Sequence, residues 1–396
     1  MSGYVHAGFF QEGEKEMKCV ISRQELNDAL QRVQNIVAPK TPIPILSHLL
    51  LEAHDGQLVL TATDLTVAVR FRVPAKVVTP GAVTLPARRF AQLVRESMAS
   101  HLEISSAAPQ LVHIVATGSS FRIPGLPRDD FPQLPDLSDA TQLRFRQSDL
   151  KEALFRTAFT VSKEESRYVL TAVCCHVQPK GALFVGTDGK RLSRVFISHP
   201  EELSVQLPES IIPLKAVEEM IKNLIRDEEP VSLAVTPDKI AIETEDFLII
   251  SKLLSGDYPD VDRVIPLQST HVLALPREEL ISLLRQVSLF IADPMNSSIR
   301  VTLNPGEFTL SANTMDLGEG KVSMPIQYTG DRLDIALNPN SLVQILQHSR
   351  SESVCAGFTD AYNPIIIADG TFGTKLTSLP DQLFVLMPMR LNNDAA

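Results

Sequence analysis

Few residues in this chain are spaced for chemistry. Thr187-Asp188-Gly189-Lys190-Arg191 resembles the end of a phosphate loop. Such a loop also needs a glycine six residues before its lysine and a serine or threonine after it. Those positions hold Phe184 and Arg191, so the match fails. The nine histidines are scattered, and no GxGxxG, HExxH or GxSxG occurs. His113 and His176 fall within apolar strand patterns, as core or edge residues do. Asp129-Asp130 and Glu164-Glu165 lie in loop-like stretches and read as solvated faces. Cys174-Cys175 sits mid-strand with one thiol on each side, which favours burial over reactivity. No catalytic constellation emerges and no metal or cofactor is implied, so the weight shifts to binding.

One cluster asks for a binding explanation. Met387-Pro388-Met389-Arg390 stands in LPDQLFVLMPMRL near the chain end. Ends usually fray, so an apolar cluster there is either core or binding surface. The bulk numbers set the frame. A chain of 396 residues can form two to four domains. No apolar run reaches the roughly 18 to 20 residues that cross a bilayer. Residues 1–16 lack periodicity and a secretory pattern, and read as a flexible extension or tag. Cys19, Cys174, Cys175 and Cys355 show no CxxC spacing, which suits free thiols in a reducing cytoplasm. A net charge of -10 argues against a broad nucleic-acid surface.

Self-similarity along the chain gives the organisation. CVISRQELNDALQRVQNIVA, LRFRQSDLKEALFRTAFTVS and LALPREELISLLRQVSLFIA each read as a short strand, a polar turn and an amphipathic helix. Leu26, Leu150 and Leu280 are equivalent. Ser22 and Ser148 fall where an N-cap belongs, and Pro276 at the same helix start. LTATDLTVAVRF, LFVGTDGKRLSRVF and FTLSANTMDLGEGKV read as strand–turn–strand. TLPARRFAQLVRES, IIPLKAVEEMIKNL and ALNPNSLVQILQHS read as a strand leading into a second helix. Polar, Pro-rich joins near residues 138 and 268 give domains of 17–138, 139–267 and 268–391, with a tail at 392–396. Each should be α+β, with two helices packed on antiparallel sheets.

SRYVLTA (166–172), TDGKRL (187–192), SKLLSGDYPDVDRVIP (251–266) and VLMPMRL (385–391) together resemble the bacterial DNA polymerase III beta subunit family, the replicative sliding clamps. The resemblance runs from Met17 to Leu391. It implies three tandem DNA-clamp domains, a head-to-tail homodimer closed as a ring around double-stranded DNA, and no catalysis. Such a heterologous contact closes after two copies. The ring tethers a polymerase, so rebinding becomes a local event. Implied partners are the DNA polymerase III alpha subunit, the clamp-loader delta subunit and other proteins carrying a clamp-binding peptide.

Position by position, the resemblance assigns a partner-peptide cleft to Leu170, Thr187, Gly189, Lys190, Arg191, Leu192, Pro259, Arg263, Val264, Pro364, Val385, Met387, Pro388, Met389 and Arg390. Flexible methionines suit a cleft that repacks around several peptides, and rim arginines can anchor a peptide. An acidic rim with a basic bore would reconcile the net charge with DNA. Candidate bore cations on the helices are Arg32, Arg88, Arg89, Lys151, Arg156, Lys215, Lys222 and Arg285, with Lys40 and Tyr168 in DNA-facing loops. Phe121 and Ile123 would face Phe290 and Ile291 of the next subunit. The chain departs from the family pattern at Lys190, where histidine is frequent, and at DYPDV. The stretch PIIIADGTFGTKLTSLPDQLF is longer than the family hairpin. Two other readings compete: a three-domain scaffold that binds linear motifs without encircling DNA, and a hydrolase or transferase with an unrecognised acidic site.

Overall fold

The computed structural model describes residues 17–37, 41–108, 110–199, 207–293 and 298–390. The first module comprises β1 (Lys18–Ser22), α1 (Arg23–Val33), β2 (His48–His54), β3 (Gln57–Thr63), β4 (Val67–Pro74), β5 (Lys76–Thr79), β6 (Gly81–Pro86), α2 (Ala87–Glu96), β7 (His101–Ala108), β8 (Leu111–Ala116) and β9 (Ser119–Pro124). The second runs β10 (Thr141–Arg146), α3 (Gln147–Ala158), β11 (Ala172–Gln178), β12 (Gly181–Thr187), β13 (Arg191–Ser198), β14 (Ser210–Pro213), α4 (Leu214–Asn223), β15 (Pro230–Val235), β16 (Lys239–Glu243) and β17 (Phe247–Lys252). The third repeats it as β18 (His271–Pro276), α5 (Arg277–Ser288), β19 (Ile299–Asn304), β20 (Glu307–Thr314), β21 (Gly318–Pro325), β22 (Leu333–Leu337), α6 (Pro339–Gln347), β23 (Ser353–Phe358), β24 (Ile365–Asp369) and β25 (Gln382–Leu386). Element order is the same in all three, apart from the extra β5.

The helices form because apolar residues recur at helical spacing and bury one stripe. Leu26, Leu30 and Val33 do so on α1, Leu150, Ala153 and Leu154 on α3, and Leu280, Leu284 and Val287 on α5. The triplication extends to single hydrogen bonds. The first N–H of α1 donates to the Ser100 carbonyl, that of α3 to Glu229 and that of α5 to Glu352, each at 2.9 Å. Each acceptor directly precedes the strand that follows the module's second helix. These carbonyls satisfy a helix-start donor that would otherwise lack a partner. Ser22 adds a side-chain cap to α1. Ser148 does not cap α3: the N-cap residue is Arg146, and the N–H of Ser148 already donates to the Asp227 carbonyl.

The chain packs as two units. One takes the residues up to Ala140 with Ser232–Ala234 and Ala241–Ser251, and the other takes the remainder. In the first unit, β5-β1-β7-β8-β9 form one sheet, and a second contains the run β6-β2-β3-β4-β17. In the second unit, β14-β11-β12-β13-β25-β24-β23-β18 form one continuous antiparallel sheet of eight strands, and β21-β20-β19-β22 a separate one. The eight-stranded sheet takes half its strands from each of the last two modules, which meet at β13 and β25. The third module's core lies between its helices and strands, with Leu280, Leu284, Phe308, Ile345 and Phe384 at its centre.

Candidate partner-binding cleft

TDGKRL is a turn whose residue types follow from its hydrogen bonds. Thr187 Oγ1 donates to the Arg191 carbonyl at 2.7 Å and accepts from the Gly189 N–H at 3.1 Å. Asp188 Oδ1 accepts from the N–H groups of Lys190 at 2.8 Å and Arg191 at 2.9 Å. Gly189 has a φ of +83°, a conformation that costs other residues strain. The turn leaves Lys190 exposed and buries Leu192 in the sheet.

Arg191 turns inward, against the expectation that it anchors a peptide at the rim. Its Nη2 donates to the Phe159 carbonyl at 2.7 Å, its Nε to Asp188 at 3.1 Å and its Nη1 to Gln344. The guanidinium also lies 5.3 Å from the Phe159 ring centroid. Burial lowers its pKa, and Asp188 opposes that shift. It is a joint between the second and third modules. Arg263, with 83% of its side chain exposed and Asp260 at 2.8 Å, stays on the surface, as do Lys190 and Arg390.

The terminal segment continues the floor. Leu192 pairs with Val385 across β13 and β25, and the Met387 N–H donates to the Lys190 carbonyl at 2.9 Å. The Met389 N–H then reaches the Ala336 carbonyl at 2.8 Å. Leu192 and Val385 belong to one apolar cluster with Leu183, Val185, Ile366, Tyr258 and Ile265, and Leu170 packs against it half-buried. Pro364, Met387, Pro388 and Met389 are half-buried beside this floor, while Pro259, Arg263 and Val264 are exposed. Thr187 is buried and acts through the turn. Leu391 lies outside the described residues.

Sequence reasoning missed part of the wall. Phe372, Leu376 and Leu379, from the long connection between β24 and β25, pack against the same cluster. The connection is tied down by the Ser269 N–H to the Thr374 carbonyl at 2.7 Å and the Leu376 N–H to the Leu267 carbonyl at 2.9 Å. The unusual length of that hairpin was the available signal. Tyr258 is buried within the cluster, and its burial raises its pKa.

The candidate cations divide. Arg88 and Arg89 on α2, Lys215 and Lys222 on α4 and Arg285 on α5 are exposed; Lys151 is half-buried. Arg32 is half-buried with its guanidinium 5.7 Å from the Phe71 centroid. Arg88 lines a 270 Å³ pocket with Gln34, Asn35, Gln92 and Arg95. Tyr168 is 54% exposed. Lys40 lies outside the described residues. Arg156 does not face solvent at all. It is 1% exposed, and its guanidinium is held by Glu152, Gln382 and Asp369, the last at 2.6 Å. A charge so buried needs polar partners, and here Nε and Nη1 both have them.

Two of the four expected interface residues are internal. Ile123 is 4% and Ile291 is 7% exposed, and Ile291 belongs to the apolar core of the third module. Phe121 is 39% exposed. Phe290 is half-buried over Gly320, where an added Cβ would stand 2.3 Å from the phenyl ring. His113 and His176 are half-buried on the interior strands β8 and β11, and all four cysteines are buried. Burial raises the thiol pKa of Cys19 to about 11 and of Cys175 to about 12, so neither is poised to react.

Three repeats of one α+β module, with an apolar cleft floor where the second meets the third, define a tandem-domain binding protein. Family models for the N-terminal, central and C-terminal domains of the DNA polymerase III beta subunit match residues 17–135, 144–260 and 262–376. The chain belongs to that family. It is 46% identical over 378 residues to a beta sliding clamp of Chlamydia pneumoniae, covering 96% of this chain and 100% of that one. A beta sliding clamp of Chlamydia muridarum is 45% identical over 383 residues, again at 96% and 100% coverage. The crystal structure of a sliding clamp from Bartonella birtlesii bound to griselimycin superimposes with a TM-score of 0.86 at 30% identity, covering 95% of this chain and 100% of that one.

Proposed function

We propose that this chain is a DNA sliding clamp that encircles duplex DNA and tethers the replicative polymerase and other partners, without catalysing a reaction itself. The convergence of the TDGKRL turn and the Met387–Met389 segment on one apolar floor carries the partner-binding half of this reading. A partner would lay an apolar peptide on Leu170, Leu192 and Val385, with Met387 and Met389 adapting to its side chains. Arg263 and Arg390 would hold its polar groups at the rim. The DNA polymerase III alpha subunit and the clamp-loader delta subunit fit that role.

Enclosure supplies persistence on DNA, so the protein needs only weak, sliding-compatible phosphate contacts. The exposed Arg88, Arg89, Lys215, Lys222 and Arg285 provide them within a chain of net charge -10. The head-to-tail homodimer is the smallest closed assembly of six such modules. A primer-extension assay on a long circular template tests the function. Adding this protein and its loader to the cognate polymerase should lengthen the product of a single binding event. Unchanged product length would refute the reading.

A further inference from the structure

Two equivalent sheet faces are covered differently. Thr63 Oγ1 donates to the Val67 carbonyl as Thr187 Oγ1 does to Arg191, so Arg70 is the counterpart of Arg194. Arg70 opposes Leu248 and Arg194 opposes Leu383, which makes β17 the counterpart of β25. In the first unit the linker after β9 lies on this face, where Leu134, Leu137 and Ala140 pack against Ala241, Leu248 and Ile250. Counted from Phe131-Pro132 and Tyr258-Pro259, the residues of the second linker that match Leu137 and Ala140 are Val264 and Leu267. These are 46% and 58% exposed, so the second linker does not seal its face.

The long connection between β24 and β25 holds that linker. Ser269 and Leu376 donate their N–H groups to the carbonyls of Thr374 and Leu267, with Gln268 paired to Lys375 between them. Linker and connection thus form a short antiparallel ribbon. Opposite residues in such a ribbon share a side, and neighbours alternate. Ser269 faces the sheet, because a Cβ added to Gly357 would stand 2.5 Å from its Oγ. Leu376 packs on the apolar cluster from the same side. Leu267 opposes Leu376, so it too is turned toward the sheet, whereas Gln268 and Lys375 face solvent. A leucine turned inward yet more than half exposed borders open space.

That space continues the cleft. Leu192 opposes Val385, Val385 opposes Ile366 and Ile366 opposes Gly357, one row across β13, β25, β24 and β23. With strands ~4.8 Å apart, the row spans roughly 14 Å. The cleft floor occupies one end. At the other, Ser269 and the Phe372 ring rest on Gly357, which has no side chain to obstruct them. Val264, on the cleft rim, precedes Leu267 on the same linker.

We propose that the ribbon adds an apolar subsite to the partner cleft, in which Leu267 and Leu376 receive a bulky apolar side chain of the partner peptide. This rests on the clamp reading and deepens it. The motif this chain reads runs about three residues past the segment held on Leu192 and Val385, and carries a further apolar anchor there. A peptide is the occupant because the row continues the cleft floor, so one extended chain reaches both ends. The backbone bonds of the ribbon form the subsite in advance, which spares binding the cost of ordering it. The ribbon also uses the stretch by which this hairpin exceeds the family pattern.

Fluorescence anisotropy on the full chain tests this. The probes are a labelled clamp-binding peptide and versions extended at either end by one to four residues, the outermost being leucine or serine. At one end, a leucine extension should bind roughly fivefold or more tighter than its serine counterpart. Leu267→Ser and Leu376→Ala should each cut that ratio below about twofold. The ratio is taken within one variant, so a general loss of folded protein does not mimic the effect. No leucine gain at either end, in a protein that still binds the unextended peptide, overturns the subsite and leaves the clamp reading standing. A gain that survives both substitutions overturns it as well. If Leu267→Ser changes the native mass, a second copy is the occupant and the proposal falls. Failure to bind any of the peptides overturns the subsite and the cleft together.

Discussion

Arg156 Nη1 lies 2.6 Å from Asp369 Oδ2, a contact between residues 213 positions apart that joins the second module to the third. Glu152 bonds both Arg156 and Arg350, so the joint is a network of two arginines and two carboxylates. Beside it, His348 stacks between Phe155 at 4.5 Å and Phe159 at 3.8 Å. The cleft floor runs across the same sheet, so its shape depends on this joint staying closed.

Removing one partner of a buried ion pair leaves the other charged and desolvated. Arg156→Ala should therefore destabilise the protein by about 3–5 kcal/mol. Arg156→Met together with Asp369→Leu, which removes both charges, should cost much less. Urea unfolding of both variants checks this, and an Arg156→Ala loss under about 1 kcal/mol would contradict the assignment.

Acid should loosen the joint. Burial opposes ionisation of Glu152, but hydrogen bonds from Arg350 and Arg156 outweigh it and lower the pKa. Its contribution is complete above about pH 4.3 and is lost as pH falls through the lowered value. His348 is also lowered, mainly by burial and further by Arg156 and Arg191, against the Gln344 carbonyl. The unfolded chain thus takes up that proton first, and stability declines as pH falls below about 6.5. Thermal midpoints between pH 5 and 7 should slope accordingly, and His348→Phe should flatten the slope. An unchanged slope would remove His348 from the account.

The turn at Gly189 fixes where Lys190 and Leu192 emerge. Gly189→Ala, at a φ of +83°, should cost about 1 kcal/mol or more and weaken peptide binding while the dimer persists. Fluorescence anisotropy with a labelled clamp-binding peptide measures it. Equal affinity would show that the turn does not shape the cleft.

Ending the chain after Leu386 removes the bonds to Lys190 and Ala336 but spares the β13–β25 ladder. Peptide affinity should drop at least about tenfold, near 1.4 kcal/mol, with native mass of the assembly unchanged. Full-strength binding would place the cleft elsewhere.

Much of this was legible from residue order. The strand–helix repeats declared themselves through apolar spacing, and TDGKRL and MPMRL, singled out together in the sequence, meet in the fold where the Met387 N–H donates to the Lys190 carbonyl. The failures share a cause. Arg156 looks like any helix-face cation, and nothing local signals a carboxylate 213 residues away. Ile123 and Ile291 are apolar whether they face a core or a partner, so only tertiary packing separates the two. Ser148 has the chemistry of a cap, but α3 begins at Gln147, which leaves Ser148 inside the first turn. Phe372, Leu376 and Leu379 lie in a connection without periodicity, where only its unusual length hinted that it packs against the apolar cluster.

Retention on DNA is the most direct measurement. Loaded onto a nicked circular plasmid, the protein should co-elute with it through gel filtration in moderate salt, then dissociate once a single cut linearises the circle. Equal retention on, or equal loss from, the two forms would show that binding comes from grip, and topological enclosure would be wrong.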